Sequence, residues 1–283
     1  MIIHVAKSAG FCFGVKRALE IALKTTKNNK SVYMLGDIVH NEDVIKKIQK
    51  AGIKKISRLG CGRNKTLLIR AHGASFKIFQ EAARRGYTII DATCPMVKEI
   101  HKIAKEYEEQ GYHIIIIGEK KHDEVLGITG QLKNKAFVIN SKQPLPAEKI
   151  KKVKKAAVVV QSTQNLTRIV KIADILKKYI PDLKFFNTIC GPTRTKQAEI
   201  KKLPVENDIM LIIGSKTSAN TKRLYEISKT LNKKSYLVQS KKDLKKSWFK
   251  NAKTVGITAG ASTPQETTRD VVSRIKHMTS KIS

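Results

Sequence analysis

This sequence has few of the residues that build disulfide frameworks or zinc fingers. Its 283 residues include four cysteines, Cys12, Cys61, Cys94 and Cys190, and no Cys-x-x-Cys pair. So few cysteines argue against a disulfide-stapled fold, and their spacing lacks the zinc-finger and thioredoxin patterns. Widely separated thiols can still converge in space.

Long hydrophobic runs are also missing. No apolar stretch approaches the roughly 20 residues of a membrane span. The N-terminal MIIHVAKSAG is a short strand pattern rather than a secretory signal. Hydrophobic residues still make up 41% of the chain, which is ample for a packed core. We therefore expect a cytoplasmic protein with no membrane partner.

Acidic residues and arginines are scarce beside lysine. The chain has 56 basic and 23 acidic residues, a net charge of +33, and only 11 of the basic residues are arginine. Basic surfaces attract phosphate backbones, so a basic nucleic-acid-binding protein is one alternative. Arginine is the usual reader of base edges, and the lysines are spread along the whole chain, so we expect no nucleic-acid partner. The charge also suits acidic partner proteins.

What the sequence does contain is one unit of strand, short turn, cysteine and helix, present three times. The segments are IIHVAKSAGFCFGVKRALEIAL at Cys12, YTIIDATCPMVKEIHKIA at Cys94 and KFFNTICGPTRTKQAEI at Cys190. At the second of these, Pro95 suits a first helical position, and Val97, Ile100 and Ala104 recur at helical spacing. A cysteine at a helix N-terminus favours the thiolate. Cys61 lies outside this pattern.

Two further positions repeat in the same order after other strands. The first set follows strands that end in glycine, and the second set follows another strand in each unit. The first comprises His40, His122 and Ser218 with nearby Asn220, and the second comprises His72, Gln161 with Ser162, and Ser262. Hydroxyls, amides and imidazoles near helix N-termini suit a phosphate or diphosphate.

The shared order predicts an α/β protein of three similar small subdomains. Their sheets should be mostly parallel and arranged as a pseudo-threefold trefoil around a central metal cluster. We place lobe 1 with Cys12 at 1–93, lobe 2 with Cys94 at 94–188, and lobe 3 with Cys190 at 189–283. All nine repeated positions should lie at the carboxyl ends of strands, where open α/β sheets bind ligands.

Three convergent thiolates can hold a metal centre. Zinc would need a fourth ligand from a nearby histidine, which leaves a zinc hydrolase of phosphorylated substrates as an alternative. A four-iron cluster on three thiolates would leave one iron open to substrate. Glu124, two residues after His122, is a carboxyl group in a region of hydrogen-bond donors, where it could relay protons.

Taken together, the motifs GFCFGVKRAL, GDIVHN, RAHG, DATCPMVKEIHK, GEKKHDEVLGI, NTIC, GSKTSANTKRL and GITAGASTP resemble the 4-hydroxy-3-methylbut-2-enyl diphosphate reductase family. The resemblance extends from Phe11 to Pro264. It implies a three-lobed α/β fold and a two-electron reductive dehydroxylation of the allylic diphosphate to isopentenyl and dimethylallyl diphosphates. Because reduced ferredoxins and flavodoxins tend to be acidic, the net charge of +33 leads us to expect one of them as electron donor.

The resemblance assigns roles to individual residues. It implies one [4Fe-4S] cluster held by Cys12, Cys94 and Cys190, with the fourth iron open to substrate, and Glu124 as the proton donor. The diphosphate ligands that it implies, together with Ser162 from the repeat, are His40, His72, His122, Ser162, Ser218, Asn220 and Ser262.

Some positions depart from the family pattern. Ser162 stands where the family usually has threonine and keeps the hydroxyl, whereas Ala219 loses one. After Cys190, Gly191-Pro192-Thr193 replaces Asp-Ala-Thr, and Thr195-Lys196-Gln197 replaces Asn-Arg-Gln. We expect these changes to affect substrate affinity rather than the chemistry.

Overall fold

Strands and helices alternate along most of the described chain. The structure is a computed structural model that describes residues 1–29 and 31–280. Its strands are β1 (Ile2–Val5), β2 (Val32–Leu35), β3 (Ile53–Ile56), β4 (Thr66–Ile69), β5 (Thr88–Asp91), β6 (His113–Ile117), β7 (Phe137–Ile139), β8 (Lys155–Val160), β9 (Asp182–Phe185), β10 (Ile209–Ile213), β11 (Ser235–Val238) and β12 (Thr254–Ala259).

The α-helices connect these strands. They are α1 (Phe13–Asn28), α2 (Glu42–Lys50), α3 (Phe76–Arg84), α4 (Pro95–Glu109), α5 (Asp123–Thr129), α6 (Ala147–Ile150), α7 (Leu166–Tyr179), α8 (Gly191–Glu206), α9 (Ala219–Leu231) and α10 (Gln265–Thr279). Two short 3-10 helices, Lys241–Asp243 and Lys246–Phe249, lie between β11 and β12. Among the described residues, no helix is long and apolar enough to cross a membrane.

The helix predicted behind Cys94 is confirmed. Cys94 is the N-cap residue of α4 and Pro95 its first helical residue. Pro95 has no N–H to leave unpaired in the first turn, so it favours a start at this position. Val97, Ile100 and Ala104 are buried, as their spacing predicts.

The strands form three four-stranded sheets in which every pairing is parallel. Their orders are β3-β2-β4-β5, β7-β6-β8-β9 and β11-β10-β12-β1. Each sheet therefore repeats one sequence of strands: an edge strand, two strands that precede the polar positions, and a strand that leads to a cysteine. This confirms the α/β class and the three similar sheets.

The assignment of Cys12 to the first lobe needs a correction. The strand before Cys12, β1, pairs with β12 in the last sheet, with Ile2 opposite Thr254 and Val5 opposite Ile257. The strands leading to Cys94 and Cys190 complete the sheets that precede them in the chain. Parallel strands can join either edge of a sheet with the same apolar pattern, so the repeat alone does not tell which sheet a strand completes. As domain boundaries, the ranges 1–93, 94–188 and 189–283 stay predictions, as does the trefoil arrangement.

The chain divides into two compact units. The first comprises Met1–Lys16, His40–Ile45 and Gly191–Ser283, and its core forms between β10, β12 and α10, with Leu211, Ile257 and Ile275 fully buried. The second comprises Arg17–Val39 and Lys46–Cys190 and contains the other two sheets. Its central strand β6 is buried almost throughout, as expected for a parallel strand that helices cover on both faces.

Candidate active site

The three cysteines of the repeat occupy equivalent positions in the three sheets. Each follows the edge strand of its sheet, and its backbone N–H donates to a carbonyl in the turn after the neighbouring strand. These bonds are Cys12 to Ala261 at 3.0 Å, Cys94 to Ala71 at 3.0 Å and Cys190 to Ser162 at 3.2 Å. All four cysteines are thiols rather than disulfides; the three of the repeat are partly buried and Cys61 is exposed.

Glu124 of the second unit is fully buried and bound to Ser162. The Ser162 backbone N–H donates to Oε1 at 2.6 Å, and its hydroxyl donates to Oε2 at 2.7 Å. Burial raises the pKa of Glu124, although both bonds from Ser162 act in the opposite direction. The carboxyl group is therefore fixed in position and holds its proton more tightly than an exposed glutamate does.

His122 is oriented by the helix that it begins. Its Nδ1 accepts a bond from the Glu124 backbone N–H at 3.2 Å as the N-cap of α5. A neutral imidazole that accepts at Nδ1 carries its proton on Nε2, which makes Nε2 the donor. The His72 ring lies edge-on to the His122 ring, with 5.6 Å between centroids.

An ion pair joins the turns that carry these two histidines. Arg70 Nη1 lies 2.7 Å from Asp123 Oδ2, and both side chains are largely buried. Arg70 is two residues before His72, and Asp123 directly follows His122. The pair therefore links the turn after β4 to the start of α5. The sequence analysis did not single out either residue, although Arg70 begins the RAHG motif.

The turn before Cys94 is held by Asp91. Its Oδ1 accepts from the backbone N–H of Thr93 at 2.9 Å and from the Thr93 hydroxyl at 2.5 Å, and Lys98 Nζ lies 2.5 Å from Oδ2. Burial alone would raise the pKa of Asp91, but Lys98 and Thr93 together lower it. An ionised Asp91 thus fixes the approach to the cysteine.

The first unit holds the other predicted residues. The Ser262 hydroxyl donates to the backbone carbonyl of His40 at 3.1 Å, and Ser262 follows Ala261, the residue that accepts the Cys12 N–H. The turns after β12 and before α2 are therefore in contact, and Cys12 is bound to the first of them.

Ser218 and Asn220 lie at the start of α9. Ser218 is the N-cap, and its hydroxyl accepts from the Thr221 backbone N–H at 3.4 Å. Asn220 is buried, with 4% of its surface exposed, and neither polar atom of its side chain has a hydrogen-bond partner among the described residues. A buried amide with both polar atoms unsatisfied is costly, which points to a polar ligand as its partner.

Two buried basic side chains had no predicted role. Lys196 of α8 is 2% exposed and donates to backbone carbonyls near Cys12. His101 of α4 is largely buried, and burial lowers its pKa to about 4, so it is neutral at physiological pH. Its ring packs against Gly73, next to His72, and against Gly127 of α5. Sequence analysis assigned a role to neither residue, although His101 lies within the DATCPMVKEIHK motif.

The predicted residues thus form two groups, one in each unit. His72, His122, Glu124, Ser162, Cys94 and Cys190 belong to the second unit, and Cys12, His40, Ser218, Asn220 and Ser262 to the first. Hydrogen bonds and a ring contact link most members of the second-unit group, and in the first unit Ser262 bonds His40. All of the residues follow the carboxyl ends of strands or begin helices. The roles of these residues stay predictions.

Comparison with known proteins identifies the family. A family profile described as LytB protein matches residues 3–276. The curated 4-hydroxy-3-methylbut-2-enyl diphosphate reductase of Clostridioides difficile is 36% identical over 98% of this chain and 100% of its own length. That of Aquifex aeolicus is 37% identical over 98% of this chain and 96% of its own length.

Solved structures agree with this result. One is the (E)-4-hydroxy-3-methyl-but-2-enyl diphosphate reductase described as the terminal enzyme of the non-mevalonate pathway. It is 37% identical, with a TM-score of 0.73 over 98% of this chain and all of that chain. The E-1-hydroxy-2-methyl-but-2-enyl-4-diphosphate reductase from Plasmodium falciparum is 30% identical, with a TM-score of 0.87 over 96% of this chain and 87% of that one. The chain therefore belongs to the LytB family of 4-hydroxy-3-methylbut-2-enyl diphosphate reductases.

Proposed function

We propose that this chain reduces (E)-4-hydroxy-3-methylbut-2-enyl diphosphate to isopentenyl and dimethylallyl diphosphates. The reaction breaks the allylic C–O bond and forms a C–H bond. Two electrons and two protons are consumed, and the oxygen leaves as water. Family membership supports the reductase activity, and the equivalent positions of the three cysteines support the iron–sulfur chemistry.

The cysteines fit a [4Fe-4S] cluster as its protein ligands. Cys12, Cys94 and Cys190 are thiols at the starts of helices, and each is held by the same backbone hydrogen bond in its own sheet. The helix N-terminus favours the thiolate form that binds iron. When bound through three thiolates, such a cluster supplies the electrons and an iron with an open coordination position.

Hydroxyl, amide and imidazole groups at the starts of helices are suited to bind a diphosphate. We assign its binding to His40, His72, His122, Ser162, Ser218, Asn220 and Ser262. The buried Asn220 amide, whose two polar atoms have no hydrogen-bond partner among the described residues, needs such a partner. Helix N-termini at Ser218 and His122 add favourable dipoles for an anion.

Glu124 is the proposed proton source. Hydroxide is a poor leaving group, so the departing oxygen needs a proton. Burial raises the pKa of Glu124, which keeps the carboxyl group protonated closer to neutral pH, and Ser162 holds both carboxyl oxygens in fixed directions. A pKa near the working pH is what a general acid requires.

The proposed electron donor rests on the charge of the chain. We propose reduced ferredoxin or flavodoxin as the donor, because a net charge of +33 attracts acidic proteins. A cytoplasmic location stays a prediction.

The observation that carries the proposal is the threefold equivalence of the cysteine turns within a reductase family. Its test is an anaerobic assay of the purified protein with the allylic diphosphate and a chemical reductant. The products are treated with phosphatase, and the resulting alcohols are identified. Isopentenol and dimethylallyl alcohol are the expected products. Release of inorganic phosphate before the phosphatase is added, with the allylic C–OH bond intact, would instead identify a hydrolase.

A further inference from the structure

Lys196 connects helix α8 to the loop that carries Cys12. This loop, Ser8–Cys12, lies between β1 and α1, and α8 begins one residue after Cys190. The Lys196 ammonium group donates to the carbonyl oxygens of Gly10 and Ala259, each at 3.0 Å, and to that of Ser8. It thereby holds the Cys12 loop against the end of β12.

Glu199, one turn further along α8, holds the same loop. Its carboxylate accepts the Ser8 hydroxyl at 2.5 Å and the Ser8 backbone N–H at 3.2 Å. Lys196 and Glu199 therefore present opposite charges to one short loop. Each is anchored by hydrogen bonds to backbone atoms, so the two charges are fixed in place.

The three N–H donors of Lys196 are all used on backbone carbonyls. An ammonium group has three donors and no acceptor, so none is left for a diphosphate oxygen. Lys196 is also 2% exposed, which excludes a role on the surface. Its remaining influence on the site is through position and charge.

That charge lies within the Cys12 loop, because Lys196 Nζ bonds the carbonyl oxygen of Gly10, two residues before Cys12, at 3.0 Å. Burial lowers the pKa of Lys196 to about 8, whereas electrostatic attraction to Cys12 and Glu199 raises it.

We propose that Lys196 is a positioning residue for the cluster: it fixes the Ser8–Cys12 loop and sets a buried positive charge within that loop, which favours the reduced state of a cluster bound by Cys12. The inference rests on the proposed function, since it assumes a cluster bound by Cys12. Reduction adds a negative charge to the cluster, and a positive charge held in a medium of low dielectric constant stabilises that state.

The test is a redox titration of the intact, cluster-containing proteins, followed by electron paramagnetic resonance. We compare the parent with Lys196→Gln, Lys196→Arg, Glu199→Gln and Lys202→Gln. Lys202 is exposed on the same helix, so its variant is a control for the loss of one lysine charge. Glu199→Gln keeps an acceptor for Ser8 but removes the negative charge.

Lys196→Gln should make one-electron reduction about tenfold less favourable, a midpoint potential about 59 mV more negative. Glu199→Gln should move the potential in the positive direction, and Lys196→Arg and Lys202→Gln should stay near the parent. A Lys196→Gln potential equal to that of Lys202→Gln would overturn the inference. So would shifts of the same sign in Lys196→Gln and Glu199→Gln, because loop distortion rather than charge would then be the cause.

If Lys196→Gln loses its cluster, the other variants decide. Glu199→Gln must still move the potential in the positive direction and Lys196→Arg must still keep the cluster, and failure of either contradicts the inference. Absence of iron and sulfide from the anaerobically purified parent would overturn the proposed function instead.

Discussion

Glu124 combines burial with two hydrogen bonds from a single residue, Ser162. The bonds stabilise the carboxylate and burial destabilises it, and the pKa is raised because burial has the larger effect. A carboxyl group in this state keeps its proton to higher pH than an exposed glutamate does. The neighbouring His122 uses its Nδ1 to accept the backbone N–H of Glu124, so the same turn positions both side chains.

Glu124→Gln should retain the cluster and bind substrate while losing about 10²–10⁴-fold in turnover. The amide keeps the shape of the side chain but has no acidic proton to donate, and general acid catalysis has this magnitude. Single-turnover kinetics, with the cluster absorbance recorded in the same sample, measure both properties. Near-normal turnover would show that another group delivers the proton.

The pH dependence of turnover is a second test of Glu124 as the general acid. A general acid works when protonated, so turnover should fall as pH rises through the raised pKa of Glu124. Ser162→Ala removes the bond at Oε2 that stabilises the carboxylate, so it should move this descending limb to higher pH. A limb that moves to lower pH, or does not move, would contradict the assignment.

Asn220→Ala should weaken substrate binding without destabilising the folded protein. The amide is buried without hydrogen-bond partners among the described residues, so its removal should leave the free energy of unfolding unchanged or raise it by up to about 1 kcal/mol. Loss of its bonds to substrate should weaken affinity by about one to two decades. Thermal unfolding and substrate titration of the same preparation measure the two effects.

Asn41→Ala is the matched control. The Asn41 side chain accepts from the backbone N–H groups of Asp43 and Val44 at the start of α2, so its loss should cost about 0.5–2 kcal/mol. If Asn220→Ala destabilises the protein as much as Asn41→Ala and leaves affinity unchanged, Asn220 has a structural role.

At the scale of elements, α5 is positioned by close packing of its C-terminal end. The backbone carbonyl of Gly130 accepts from the Phe76 N–H at 2.9 Å, and Gln131 donates to the Ala74 carbonyl at 2.7 Å. A Cβ on Gly130 would lie 2.1 Å from the Cβ of Ser75. The glycine therefore allows the helix that carries Glu124 to pack against the start of α3.

Gly130→Ala should push α5 away from α3. Overpacking of this kind costs about 1–3 kcal/mol, and the displaced Glu124 should lower turnover roughly ten- to a hundredfold. Gly60→Ala is the control, because a Cβ there meets nothing within 4 Å. Chemical denaturation and steady-state kinetics report on both variants. Equal behaviour of the two would mean that the α3–α5 contact does not position the site.

The elements also show how far the sequence alone leads. The order of cysteines and polar positions predicts three similar parallel sheets, because each unit carries its own apolar strands and turn residues. The same order does not predict that β1 completes the last sheet, because the pairing of an edge strand leaves no signal in the sequence around that strand. The contact between Glu124 and Ser162 spans 38 positions and the buried Lys196 lies 188 positions from Ser8, and only the folded chain reveals such pairs.

For the whole molecule, the excess of lysine should govern encounters with a protein electron donor. A net charge of +33 attracts acidic donors over distances that salt shortens, to a Debye length of ~8 Å near physiological ionic strength. Turnover with reduced ferredoxin or flavodoxin should therefore fall as salt is added, whereas turnover with dithionite should change little. Parallel salt titrations with both reductants make the comparison. Equal salt sensitivity would mean that the charge has no role in donor binding.

The central claim, a cluster held by the three cysteines of the repeat, is tested most directly by iron content in four single variants. Cys12→Ser, Cys94→Ser and Cys190→Ser each remove a proposed ligand, and Cys61→Ser removes the exposed cysteine outside the repeat. Iron, sulfide and visible absorbance are measured on anaerobically purified protein. Cys61→Ser should keep about four irons per chain, like the parent, and the other three should lose most of their iron and absorbance. Loss of the cluster in Cys61→Ser together with its retention in Cys190→Ser would contradict the account.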